Sequence, residues 1–364
     1  MIDILTTTAD PRLLHGRGAR SNASSRFDQE KRVGFDDGWT RDDDIPPPIR
    51  TEVQRDATRT IITRNQSPDI SFDRSINPYR GCEHGCVYCF ARPSHAYLGL
   101  SPGLDFEAKL FVKPDAAKLL AAELSKPGYR CEVMAIGTNT DPYQPIEREY
   151  RVMRSILKVL WEFKHPVGIV TKSALVTRDI DILAPMAEQR LAKVALSITT
   201  LDRKLARAME PRASTPERRL DAIRALSDAG IPTAVMAAPM IPALNDDELE
   251  AILSAAYDAG ARRAGFVTLR LPLEIADLFE EWLKTHRPDK AKHVLSLVRN
   301  MRGGKLYDST FVVRGKGTGP YAHLLAQRFH LATKRLGLNT DNIPLDTAKF
   351  CKPESASPQL SLFA

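Results

Sequence analysis

The chain has 364 residues, of which 43% are hydrophobic and 27% charged, with five cysteines and a net charge of +7. These are the proportions of a soluble globular protein, and no apolar run approaches the length of a membrane span. Cysteines that cluster instead of pairing exclude a disulfide framework and suit a reducing cytoplasm. The length leaves room for one large domain with extensions, or for two domains. The basic balance permits binding to a polyanion without requiring it.

Met1-Ile-Asp-Ile-Leu-Thr-Thr-Thr has neither a basic leader nor a long apolar core, so no secretory signal is expected. Residues 1 to about 60 read as a poorly ordered basic extension. His15-Gly-Arg-Gly-Ala-Arg-Ser-Asn-Ala-Ser-Ser-Arg is small, polar and basic, without strand or helix period. Arg41-Asp-Asp-Asp-Ile-Pro-Pro-Pro reads as an extended linker. Gly16-Arg-Gly-Ala-Arg is either a solvated tail or a flexible arm for phosphates. Phe27, Val33, Phe35 and Trp39 are apolar anchors by which part of the segment could wrap a core.

From residue 74 onward short apolar runs alternate with amphipathic ones. Arg74–Arg80 reads as a first strand and Phe106–Leu124 as a helix with Leu110, Leu119, Leu120 and Leu124 on one side. Strands follow at Cys131–Ile136, Val167–Thr171, Lys193–Thr200, Thr233–Ala237 and Ala264–Arg270. The helices between and after them are Ile146–Phe163, Arg178–Arg190, Pro216–Ala229, Asp246–Ala259 and Leu273–Thr285. Gly230 and Gly260 stand where a glycine stops a helix. Six strand-then-helix units imply a parallel sheet whose crossovers all turn one way. Either a partial barrel or a doubly wound sheet satisfies this pattern. The remainder, 291–352, is expected to add helices near Ala291–Met301 and Tyr321–Leu336. Between them lies a glycine- and cation-rich loop that is no P-loop, since G-x4-G-K-[ST] is missing.

Between the first strand and first helix lies Asn77-Pro-Tyr-Arg-Gly-Cys82-Glu-His-Gly-Cys86-Val-Tyr-Cys89-Phe90, spaced C-x3-C-x2-C. Soft thiolates gathered in one loop select an iron–sulfur cluster, zinc or Cu(I). A cubane cluster normally takes four cysteines, so three without an obvious fourth leave one iron open. A zinc site or three unrelated buried thiols are the alternatives, although no second Cys or His pair follows at zinc-finger spacing.

C-x3-C-x2-C with an aromatic before the third cysteine resembles the signature of the radical S-adenosylmethionine (radical SAM) superfamily. Asn77-Pro-Tyr-Arg-Gly-Cys and Cys86-Val-Tyr-Cys-Phe-Ala-Arg are similar to its spore photoproduct lyase-like, "DNA repair photolyase" branch. The resemblance covers roughly residues 70–290 and implies an α/β fold, a partial (β/α)6 TIM-like barrel. It implies a metal-binding site in which Cys82, Cys86 and Cys89 hold a [4Fe-4S] cluster. S-adenosyl-L-methionine would chelate the fourth iron and be cleaved reductively to a 5′-deoxyadenosyl radical that abstracts hydrogen from a substrate. An electron donor of flavodoxin or ferredoxin type is implied as a partner.

In parallel β/α barrels the chemistry sits at the C-terminal ends of the strands. The second end carries Gly137-Thr-Asn-Thr-Asp-Pro, at the place where the superfamily binds the cofactor's amino group, so Thr138 and Asn139 are assigned by position. Turn chemistry is the other reading of this segment. At the third end, Lys172 is expected to neutralise the cofactor carboxylate, as the branch resemblance implies. At the fourth, alternation puts Ser197 and Thr199 on one face, either toward the ribose or in a small-residue core layer. The fifth, Ala237-Ala-Pro-Met-Ile-Pro, resembles the segment that lines adenine, and Tyr88 is the other adenine neighbour. At the sixth, Arg270 either holds a substrate phosphate or carboxylate or pairs with a barrel acid. Spore photoproduct lyase places a hydrogen-donor cysteine after its second strand. No cysteine stands there in this chain: Cys131 begins the strand, about 20 Å away at strand rise, and Cys351 lies outside the barrel.

After Pro353-Glu-Ser-Ala-Ser-Pro comes Gln359-Leu360-Ser361-Leu362-Phe363-Ala364. The word resembles the peptide by which bacterial replication and repair proteins dock on the sliding clamp. Gln359 would make an amide hydrogen bond while Leu360, Leu362 and Phe363 contact an apolar pocket. Three function classes stay open: a radical SAM lyase-like enzyme of DNA repair, a radical SAM enzyme for another substrate, and a non-catalytic iron–sulfur binding protein.

Overall fold

The computed structural model describes residues 16–28, 49–341 and 344–353. Val33, Phe35, Trp39 and the terminal Gln359, Leu360, Leu362 and Phe363 lie outside the described residues. The described strands, in chain order, are β1 (Glu52–Arg55), β2 (Ile62–Arg64), β3 (Arg74–Ile76), β4 (Tyr79–Arg80), β5 (Lys109–Val112), β6 (Met134–Ile136), β7 (Val167–Thr171), β8 (Ala192–Ser197), β9 (Thr233–Met240) and β10 (Arg263–Thr268).

The main sheet runs β10-β9-β8-β7-β6-β3-β2. Every pairing from β3 to β10 is parallel, and β2 lies antiparallel on the outer edge of β3. Each new strand therefore adds beside the last, in one direction. A doubly wound sheet reverses its order at a switch point, and this one does not, so the fold is the partial barrel. Ile76, Ile136, Ile169, Val194 and Val235 from five successive strands are buried in one apolar core. The helix Val152–Glu162 covers it with Val152, Met153, Ile156, Leu157 and Leu160, the spacing of a single helical face.

Three expectations fail for local reasons. Arg74–Arg80 is not one strand: Pro78 has no N–H for a ladder and keeps Asn77 from continuing it, so β3 stays in the main sheet and β4 joins a small sheet of order β1-β5-β4. Phe106–Leu124 is not one helix. A short helix, Asp105–Ala108, gives way to β5, in which Leu110 and Val112 are buried and their neighbours less so. Helix resumes at Ala116, beyond Pro114, and ends at Leu124. The strand expected from Cys131 begins only at Met134.

The expected poorly ordered extension, residues 1 to 60, also differs where it is described. Residues 52–55 form β1, which pairs parallel with β5. Residues 17–25 lie against the body, with Arg17, Ala19, Ser21 and Ser25 buried. At the other end, the described residues beyond Leu336, 337–341 and 344–353, are not helical. They cross the floor of the barrel, meaning the N-terminal ends of the strands: Asn339 donates to Arg262 O, Asp346 N to Arg190 O, and Cys351 N to Phe163 O at 3.0, 2.9 and 3.1 Å. Phe350 closes the floor against Tyr129 and Phe163, with ring centroids 5.4 and 6.2 Å apart.

His165 lies beneath this strap, fully buried. Its Nε2 accepts from the Tyr129 hydroxyl at 2.8 Å, and Nδ1 donates to Pro166 O at 3.0 Å, which the neutral ring satisfies. Burial, with the Arg74 guanidinium adding to it, draws His165 down to about 4. An unfolded histidine binds its proton near the ordinary value of about 6.5. The unfolded chain thus carries more protons between those values, and stability falls as pH drops through them. We expect urea unfolding to record a loss on the order of 3 kcal/mol from this group between pH values of about 7 and 4. His165→Gln should flatten the profile by that amount; an unchanged slope refutes the assignment.

Candidate active site

The cysteine loop follows β4 and lies over the mouth of the barrel, where the parallel strands end. Cys82 and Cys86 are buried and Cys89 nearly so. Burial pushes all three thiols up, with nearby Asp141 adding to Cys82 and Glu210 to Cys86. Thiolates therefore persist here only beside a compensating cation, and a bound metal cluster supplies one. Among the described residues no group of three or more His, Cys, Asp or Glu is arranged around a single metal ion. In a cubane each cysteine binds a different iron, so thiolates spread round one loop fit a cluster better than a mononuclear zinc.

Three segments hold the loop from behind. Glu107, fully buried, pairs with Arg92. The same carboxylate accepts from Gly18 N at 2.9 Å and Ala19 N at 2.8 Å. Arg92 in turn donates to Cys86 O at 2.9 Å and Gly85 O at 3.2 Å. From the β6 side, Gln144 accepts from Glu83 N at 2.8 Å and donates to Gly81 O at 3.2 Å. Below, Val87 N donates to Met209 O at 3.0 Å and Arg212 N to His84 O at 3.2 Å. Gly16-Arg-Gly-Ala is thus neither a tail nor a phosphate arm at its centre but a strap against the loop. No pattern in its residues signals this: the Glu107 carboxylate is met by the backbone N–H groups of Gly18 and Ala19, and the Arg17 guanidinium donates to the Glu107 carbonyl at 2.8 Å.

A cavity of about 230 Å³ opens between the loop and the strand ends. It is lined by the three cysteines and Tyr88 on one side, and by Thr138, Asn139, Lys172 and Ser197 on the other. Gly137 has φ +88, and a Cβ there would collide with Val170 O, so the β6 end can approach β7 closely only as glycine. Asn77 Oδ1 accepts from Asn139 N at 3.1 Å, tying this turn to the end of β3.

Thr199 stands behind the wall, fully buried, and joins Tyr88 to Lys172: it lies 3.1 Å from the Tyr88 hydroxyl and accepts from Lys172 Nζ at 3.1 Å. Lys172 also donates to Ser197 Oγ at 2.8 Å and Ala238 O at 3.1 Å, and its ammonium is 3.1 Å from Glu210 Oε1. Glu210 further pairs with Arg219 and accepts from Tyr88. Burial, then Arg219, draws Lys172 down to about 8, against the opposing effect of Cys86, Asp141 and Cys89. Asp141 accepts from Lys172 N and from the Thr171 hydroxyl, both at 2.7 Å, and faces His84 Nδ1 at 3.4 Å. Burial alone would raise the Asp141 carboxyl, but His84 and these donors bring it below its ordinary value. Sequence reading gave no individual role to Glu107, Gln144, Asp141 or Glu210, which act through contacts far apart in the chain.

The spare cysteines stand away from the mouth. Cys131 precedes β6 on the floor, where burial pushes its thiol up to about 12. Cys351 is exposed in the floor strap. The strap behind the cysteine loop is directly testable. A Cβ at Gly18 would collide with the Gly85 carbonyl oxygen, which cannot retreat without moving the loop. Gly18→Ala should cost about 2 kcal/mol in urea unfolding of the metal-free protein; a neutral substitution means the strap does not bear on the loop.

A family model described as "Radical SAM superfamily" matches residues 76–256, which include the cysteine loop and strands β4 to β9. An uncharacterized protein of Mycobacterium tuberculosis is 38% identical over 232 residues, covering 63% of this chain and 68% of its own length. An uncharacterized protein of Methanocaldococcus jannaschii is 30% identical over 173 residues, 48% of this chain and 62% of its own. Among solved structures, spore photoproduct lyase complexed with dinucleoside spore photoproduct superposes with a TM-score of 0.55 at 17% identity, covering 79% of this chain and 80% of that one. That likeness is one of fold. No helix among the described residues is long and apolar enough to cross a membrane. With its cysteine loop at the mouth of a partial parallel barrel, the chain belongs to the radical SAM superfamily.

Proposed function

We propose that this protein is a radical SAM enzyme that acts on a DNA lesion in the cytoplasm. The observation that carries the reading is the cysteine loop, held from three sides, facing a cavity lined by parallel strand ends. Cys82, Cys86 and Cys89 would hold the [4Fe-4S] cluster, and Tyr88, Thr138, Asn139, Lys172, Ser197 and Thr199 would form the S-adenosyl-L-methionine side. When bound, the cluster supplies the electron for reductive cleavage of that cofactor, whose 5′-deoxyadenosyl radical takes hydrogen from the substrate. The residues of this chain supply position and water exclusion. Glu210, Arg219 and Thr199 orient the Lys172 ammonium, and Asp141 fixes the backbone beside it.

Support for a nucleic-acid substrate comes from the net charge of +7 and from the fold shared with a lyase solved on a dinucleoside photoproduct. The loop after β6 carries no cysteine, so a final hydrogen donor of that kind is not used here. A flavodoxin- or ferredoxin-type protein is the electron donor in this reading. The terminal Gln359, Leu360, Leu362 and Phe363 would bring the enzyme to the replication sliding clamp.

After anaerobic reconstitution and reduction, the wild type should show a broad iron–sulfur absorbance shoulder and release 5′-deoxyadenosine from S-adenosyl-L-methionine. Cys86→Ala should lose both. A wild type that binds zinc, or that takes up iron without cleaving the cofactor, overturns the enzymatic reading. For the tail, a fluorescent peptide of residues 353–364 should gain anisotropy on a bacterial clamp. Leucine and phenylalanine to alanine changes at Leu362 and Phe363 should abolish the gain; binding that survives them sinks the docking role.

A further inference from the structure

Three basic side chains line the cavity: His84, Lys172 and Arg270. Two have carboxylates inside the protein. His84 faces Asp141 at 3.4 Å and Lys172 faces Glu210 at 3.1 Å. Arg270, just beyond the end of β10, has no ion pair or hydrogen bond among the described residues; its guanidinium lies over the Phe90 ring, 4.4 Å from the centroid. The barrel acid with which it was expected to pair, as one of two readings, is therefore not there.

The surroundings deepen the imbalance. Arg302, buried behind β10, donates to Val313 O, to Thr268 Oγ1 at 2.8 Å and to Leu269 O at 3.0 Å, none of them a carboxylate. Asp69, which faces this region, is already paired with Arg314. Burial draws Arg270 below its ordinary value; Tyr307 and Asp69 act against this from a distance, but among the described residues no carboxylate pairs with the guanidinium directly. A desolvated guanidinium without a counter-ion, turned to an open cavity, is a ligand-binding arrangement.

We infer that Arg270 is the anchor for an oxyanion of the substrate, a phosphate or a carboxylate, at the β10 side of the cavity. The inference rests on the radical SAM reading above. The Phe90 ring lies beneath the guanidinium, and no hydrogen bond among the described residues occupies its N–H groups, so they can form two parallel hydrogen bonds to such a group. Lysine supplies a point charge and not that fork. The ends of β6, β7 and β8 face the cysteine loop with neutral groups, the Asp141 carboxylate paired with His84, and the paired Lys172. The anion is thus received at the edge strand, where an incoming ligand meets the cavity.

The test uses the cluster-loaded protein saturated with S-adenosyl-L-methionine. Inorganic phosphate and acetate are titrated by isothermal calorimetry into wild type, Arg270→Gln and Arg270→Lys. At least one anion should bind the wild type with unit stoichiometry, and the one that binds names the class. Arg270→Gln should weaken it by about ten-fold or more, the worth of a charge-assisted pair, with Arg270→Lys in between. Cofactor affinity and cluster absorbance should stay at wild-type values in Arg270→Gln. Absence of anion binding to the wild type, or equal binding by Arg270→Gln, overturns the proposal. So does loss of cofactor affinity in Arg270→Gln, which would give the arginine to the cofactor's own carboxylate. Failure of the underlying reading would be seen earlier, as a wild type without cluster or cofactor cleavage.

Discussion

A carboxylate without access to water governs the geometry of the site. Glu107 would cost several kcal/mol to bury alone. It is satisfied by the Arg92 guanidinium and by two backbone N–H groups from residues 18 and 19. None of these partners can leave without stranding a charge, so three segments from distant parts of the chain are locked together. The cysteine loop is the common object they enclose. Its shape is thereby held by the protein's own hydrogen bonds.

What could be read from the residues is what repeats along the chain. Val167–Thr171 and Thr233–Ala237 are short apolar runs, and they occupy strands where expected. Pro216 and Gly230 bracket a helix because one lacks an N–H that the first turn does not need and the other adopts φ +74 past its end. The three cysteines were legible because a cluster needs several thiolates within one loop. The misreadings share a different cause. Leu110 was grouped with Leu119 and Leu120 by helical spacing, but Pro114 and pairing with β1 and β4 prevail over that period. Arg17-Gly-Ala resembled a tail because backbone N–H groups, which every residue type but proline carries, do much of its work.

Charge is sorted by depth in the site. Beneath the cavity, Lys172, Glu210 and Arg219 form a closed set in which each charge answers another. Lys172 was foreseen at the mouth, yet Glu210 lies a β-strand and two helices further along the chain, and nothing local joins them. Beside β10 the balance is positive, with Arg270 at the cavity and Arg302 buried behind the strand, neither paired with a carboxylate among the described residues. Such an arrangement keeps the inner network indifferent to which anion arrives, while the rim responds to it.

The two edges of the main sheet are β10 and β2, and between them the wall is not a strand ladder. There, Arg314 and Val312 N meet Asp69, and Arg314 reaches Ser67 Oγ at 2.5 Å. Mechanically the barrel is a split ring whose gap is closed by side chains. Strand pairing resists widening everywhere else, so compliance is concentrated at this seam. A partly exposed ion pair holds weakly and weakens further in salt. Salt therefore acts on the wall most directly at this seam, where an ion pair and not a strand ladder joins the two sides.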